Sequence, residues 1–157
     1  MAFLVWLKET GIAHYIQEDP WGYPIVLSAH AIGMGLLAGV VLMIDFRVLG
    51  FGRTVPLHYM RRMLRVAWVG LLLNVISGLM LFAADAVSHF ENTAFRVKIT
   101  LLLVGGALMV LLARRVFDED VSDDVIAQSV ATRVIAAVSA CVWIGVIIAG
   151  RLIAYDK

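Results

Sequence analysis

At 157 residues, with 62% of them hydrophobic and 16% charged, the chain has the length of one domain and too little polar surface for a water-soluble one. A net charge of +1, with the arginines at the ends of apolar runs instead of along one face, excludes a nucleic-acid surface. The one cysteine, Cys141, lies inside an apolar run and excludes an intramolecular disulfide. The composition is that of an all-α polytopic membrane protein. Its single domain is residues 1–157, a four-helix transmembrane bundle with a short N-terminal helix lying in the interface. Crossing a hydrocarbon core of about 30 Å takes about 20 apolar residues, and the runs at 25–44, 66–84, 97–113 and 130–149 are long enough.

The first 24 residues have no basic start, Lys8-Glu9 interrupt their apolar run, and no small-residue cleavage site follows, so they are expected to stay on the chain. Phe3, Leu4, Trp6, Leu7 and Gly11 fit a short amphipathic helix, with Trp21 and Tyr23 at the headgroup level. Pro20 and Pro24 are expected to end that helix and open the first span. In that span His30 lies about 8 Å inside the leading end. Ala31, Gly35 and Gly39 then recur every four residues, which predicts a smooth strip for another helix backbone. Asp45-Phe46-Arg47 are expected at the membrane surface.

The connections after the first and third spans hold Arg47, Arg53, Arg61, Arg62, Arg65, Arg114, Arg115 and Arg133, eight in all. The other side has Lys8, Arg96, Lys98, Arg151 and Lys157. By the positive-inside rule both termini are expected on the periplasmic side of a bacterial inner membrane. Residues 118–124 include five acids, read as a solvated turn with Ser122 or Asp123 capping the fourth span.

This topology gathers His30, Met80, Asp85, Lys98, Arg151 and Tyr155 in the outward halves of the spans. His30 and Met80 are expected at similar depth, with Met34 one turn below His30 on the same face. Imidazole and thioether suit a b-type haem iron, with Lys98 and Arg151 on its propionates. The same donors His30, Met34 and Met80 suit Cu(I). The alternative is an interhelical histidine bonded to Ser28, Ser139 or a backbone carbonyl, with the methionines as core filler in a ligand-free scaffold or assembly factor. Arg151 is expected to face the bundle and to pair with Asp85 or a propionate. His14 and His89 lie near the outer surface, where they either complete a metal site or are merely exposed, and His58 is on the other side. Gly70, Asn74, Ser77, Gly78, Leu81 and Asp85 in the second span, and Ala136, Ser139, Ala140, Trp143, Ile147 and Gly150 in the fourth, form packing stripes. No nucleotide loop, HExxH or CxxC occurs, so no enzymatic motif is present.

Five segments resemble a family of small four-helix bacterial inner-membrane proteins known as a domain of unknown function. They are W-x-Y-P-I-V-x-x-x-H at 21–30, I-D-F-R-V-L-G at 44–50, S-G-L-M-L-F-A-A-D-A at 77–86, F-x-x-K at 95–98 and G-R-L-I-A-Y at 150–155. The resemblance spans nearly the whole chain and implies the fold and location. It marks Trp21, His30, Asp45, Arg47, Lys98, Arg151 and Tyr155 as matching positions. A more distant similarity is to the membrane domain of CopD-type copper-resistance proteins. It runs through the first-span histidine, the S-G of the second span and the lysine opening the third. The functional expectation is a non-catalytic membrane subunit that holds a redox cofactor, a b-type haem or alternatively copper, and meets the lipid bilayer and other membrane or periplasmic redox subunits.

Overall fold

The computed structural model describes residues 6, 9–52, 54–86, 92–117, 126, 129–153 and 155, without the side chains of Ile12 and His58. A short helix α1 (Gly11–Glu18) precedes four long ones: α2 (Gly22–Leu49), α3 (Leu57–Ala84), α4 (Thr93–Val116) and α5 (Val130–Leu152). No strand occurs among the described residues. All four long helices are apolar enough to cross a membrane, with mean hydropathy between 2.0 and 2.2 in their most apolar stretches. The chain is an all-helical, multi-pass membrane protein.

Local chemistry sets the helix ends. Pro24 falls in the first turn of α2, where its missing N–H has no helical acceptor to lose, so the span opens before this proline. Gly50 ends α2 in the left-handed region at φ 111°, and the N–H groups of Gly50 and Phe51 return to the carbonyls of Arg47 and Phe46. The Asn92 side chain caps α4 by accepting from the Phe95 N–H at 2.8 Å. The cap of α5 is Ser129, which accepts from the Thr132 N–H at 3.3 Å. Ser129 therefore replaces the expected cap at Ser122 or Asp123, both outside the described residues.

The long helices pack as two antiparallel hairpins, α2 with α3 and α4 with α5, joined where α2 meets α5. Gly33 and Gly70 make the α2–α3 crossing. A Cβ on Gly33 would stand 2.8 Å from the Asn74 N atom, and one on Gly70 would stand 2.8 Å from the Leu37 N atom. The strip expected at Ala31, Gly35 and Gly39 is exposed, and a Cβ at Gly35 or Gly39 meets nothing within 4 Å. The second hairpin closes through Trp143 over Gly105 and Leu101 over Gly145. Leu37, Val41, Leu112, Trp143 and Val146 form the common core. In the α5 stripe, Val146 and Ala149 take the buried positions and Ile147 is exposed.

Helix α1 lies across the end of the α2–α3 hairpin that the chain start shares. It buries Ala13 and Ile16 and exposes His14, Tyr15, Gln17 and Glu18, and Gln17 Nε2 donates to the Ala84 carbonyl at the end of α3. The amphipathic helix expected over residues 3–11 falls mostly outside the described residues, although Trp6 within it is helical, and α1 follows it. Of the residues expected to build it, Phe3, Leu4 and Leu7 lie outside the described residues.

Helix α2 continues for a further turn beyond the expected span, and Asp45, near that end, is fully buried among the helices. Arg47 is buried too, its Nε donating to the Val55 carbonyl at 2.7 Å.

Candidate functional site

One group of interior polar side chains, Asn74 and Ser77 with the half-buried Lys98, collects around His30 at the end of the bundle that carries α1. Along their helices, His30 lies about 12 Å from the start of α2, Ser77 about 10 Å from the end of α3 and Lys98 about 8 Å from the start of α4, at a rise of about 1.5 Å per residue. The three meet. His30 Nδ1 is 3.1 Å from Ser77 Oγ, and His30 Nε2 is 3.1 Å from Lys98 Nζ. Asn74 Nδ2 donates to the His30 carbonyl at 3.1 Å, which fixes α2 against α3 one turn from the imidazole.

Donor and acceptor chemistry gives this chain a direction. A lysine ammonium can only donate, so Nε2 accepts from it and the ring proton sits on Nδ1. Nδ1–H then donates to Ser77 Oγ, whose own hydroxyl donates to the Leu73 carbonyl at 2.6 Å. The chain thus runs from Lys98 through His30 and Ser77 to the Leu73 carbonyl. Two glycines make room for it. A Cβ on Gly78 would press on His30 Cε1 at 3.1 Å, and one on Gly150 would come into ordinary contact with the Lys98 stem, 3.5 Å from Nζ. The G in the S-G pair of α3 is therefore the floor under the imidazole.

His30 and Lys98 are both half-buried, and among the described residues no carboxylate lies within 4 Å of Lys98 Nζ. Here a cation stands against a neutral ring inside an apolar bundle, where an unpaired charge is costly. The site is consequently suited to accept a ligand with an anionic or carbonyl group.

The other candidate residues make different contacts among the described residues. Met80 packs on the cluster of Ile16, Val26 and Ala84, and Met34 packs on the main core. The polar partners of the imidazole are a hydroxyl and an amine, in place of the thioether expected from matched depth. Nor are they the expected serines: Ser28 donates to its own Pro24 carbonyl at 2.7 Å, and Ser139 is buried beside Asp45. Arg151 is exposed, with its guanidinium over the Tyr155 ring at 5.9 Å, and makes no ion pair with Asp85. Arg151 is thus not turned inward as expected: the end of α5 leaves it exposed at the edge, where among the described residues the Tyr155 face is its partner. His14 pairs with Glu18 on the outer face of α1 at 3.0 Å, and His89 lies outside the described residues. Among the described residues no three His, Cys, Asp or Glu side chains come together as a metal site.

Sequence reasoning nominated His30 and Lys98 but joined them through an absent ligand. Ser77 was placed in a packing stripe, and the signal that it touches His30 is the pair Ser77-Gly78, a hydroxyl beside a position with no side chain. No curated protein and no solved structure matches the chain. A family model covers residues 3–156. The chain therefore belongs to the family described as a family of unknown function, DUF6644.

Proposed function

We propose that the chain is a non-catalytic membrane subunit that holds a redox cofactor through His30 and Lys98, in the half of a bacterial inner membrane facing the periplasm. The observation that carries this reading is the half-buried Lys98 amine, without a carboxylate among the described residues, on the Nε2 atom of His30. A b-type haem uses both groups: Nε2 suits an iron ligand and an ammonium suits a propionate. When bound, haem supplies one-electron chemistry. His30 would supply one iron ligand, and the partly buried Met80 and Met34 are the thioethers available as the other. Lys98 must then turn from Nε2 toward the propionate, a movement its flexible four-carbon stem allows. The arginine-rich connections support the orientation, with both termini periplasmic.

The test is the absorption spectrum of the full chain purified from haem-replete cells, with pyridine extraction for haem. The reading expects a Soret band in the wild type, its loss in His30→Ala, and weakened haem retention in Lys98→Ala. Absence of haem from the folded wild type overturns it. Copper retained by that haem-free protein after anaerobic Cu(I) loading, and lost in His30→Ala, would install copper handling instead. A His30→Ala variant altered in stability alone would leave the ligand-free scaffold.

A further inference from the structure

Asp45 has no part in the His30 site. It lies about 22 Å from His30 along α2, fifteen residues at a rise of about 1.5 Å, with the buried apolar side chains Leu37 and Val41 between them. Its side chain is fully buried, and neither carboxylate oxygen has a hydrogen-bond partner. Ser139 of α5, also fully buried, is the polar side chain facing the carboxylate, near enough for its hydroxyl to favour the carboxylate but outside good hydrogen-bond geometry. One turn further along α5, the indole N–H of buried Trp143 is unpartnered as well. Among the described residues no Lys, Arg or His nitrogen comes within 4 Å of the Asp45 oxygens. Arg47, the nearest cation in sequence, is held to Val55.

An ionised carboxylate only accepts hydrogen bonds, and burying one without a donor or counter-charge costs several kcal/mol. A buried carboxylate beside a hydroxyl from a second helix, the two close but outside good hydrogen-bond geometry, offers oxygens that a small positive ion can complete. The carboxylate supplies the charge and Ser139 Oγ a neutral oxygen. Trp143 supplies no ligand, since its N–H can only donate. A calcium-like ion, which takes about six to eight oxygens, is poorly matched to this small set.

We propose that Asp45 and Ser139 form a binding site for a small monovalent cation, a proton or a sodium ion, in the opposite half of the membrane from the His30 site. The site stands on its own observations and is independent of any cofactor at His30. Its position, one turn from the end of α2 at Leu49, places it within reach of the surface on that side.

The test uses N,N′-dicyclohexylcarbodiimide, an apolar reagent, on the full chain in native membranes, with peptide mass spectrometry as the readout. The protonated carboxyl adds its O–H across one C=N bond of the reagent, and the adduct rearranges to an N-acylurea that carries the whole reagent mass. In sodium-free choline medium at mildly acidic pH, Asp45 is expected to be labelled, and Asp45→Asn to lose that adduct. Protection by sodium at constant ionic strength, with choline as the control, assigns the ion as sodium. Equal labelling in both salts assigns it as the proton. Wild-type protein unlabelled at Asp45 overturns the proposal. So does a Ser139→Ala variant whose labelling has the same pH and sodium dependence as the wild type. Because the deciding arm uses wild-type protein, a variant that fails to fold does not obscure the result.

Discussion

The helix crossing at Gly33 and Gly70 gives the sharpest test of the packing. In Gly33→Ala the new Cβ would sit 2.8 Å from the Asn74 N atom and 3.0 Å from the Gly70 carbonyl oxygen. Both belong to the backbone of α3, so no side chain can rotate away. Reaching ordinary contact at 3.4 Å requires the helices to part by about 0.6 Å locally, the difference between 3.4 and 2.8. A gap of that size forfeits a quarter or more of the dispersion energy of the atoms it separates. Overpacking of this kind typically costs about 1–3 kcal/mol. The same movement stretches the Asn74 bond to the His30 carbonyl and the His30 bond to Ser77, and interhelical polar contacts in membranes are worth about 0.6 kcal/mol each on average. The expected loss is about 2–4 kcal/mol in total. The assay is reversible unfolding of the full chain by sodium dodecyl sulfate in mixed micelles, followed by circular dichroism. Gly35→Ala and Gly39→Ala, where a Cβ meets nothing within 4 Å, are the controls. They should stay within about 1 kcal/mol of wild type, on the stabilising side. A Gly33→Ala protein as stable as these controls would refute the close crossing.

Three further predictions concern single side chains. Nitrogen-15 NMR of labelled histidine should find His30 protonated on Nδ1, and a proton on Nε2 would reverse the direction assigned to the Lys98 bond. Ser129→Ala should destabilise the chain by about 0.5–2 kcal/mol through loss of the α5 cap, measured in the same unfolding titration. Arg151→Gln should change stability by less than about 0.5 kcal/mol, as for an exposed position, and a larger loss would mean that the guanidinium has an internal partner after all.

The four spans were legible in the sequence because hydrophobic length is nearly sufficient to specify a transmembrane helix, and two of the three side chains at the site were legible because an ionisable group in such a run stands out. The faces were not legible. Helix α2 is apolar all round, so it has no polar stripe to tell which side meets α3. Gly35 and Gly39 looked like the contact, whereas Gly33 makes it. Counting residues from helix ends fixed the depth of Met80 and said nothing about its azimuth, which turns it toward Ile16 and Val26 under α1. The burial of Asp45 was hidden for a related reason: the charges after Ile44 look like the end of a span, yet the helix runs on to Leu49 and the carboxylate faces the other helices.

The division into two hairpins has a consequence for assembly. Each hairpin has its own close glycine contacts, Gly33 with Gly70 in one and Gly105 with Trp143 in the other, so each can form as a unit before the two associate. The bond between His30 and Lys98 belongs to neither unit, since it runs from α2 to α4 across the join. Asp45 and Ser139 likewise lie on opposite sides of that join. Two fragments divided in the connection between α3 and α4 would therefore insert separately as helical pairs, and the ring of His30 would gain its lysine only when the pairs meet. The imidazole is thus a built-in reporter of whether the two halves have come together.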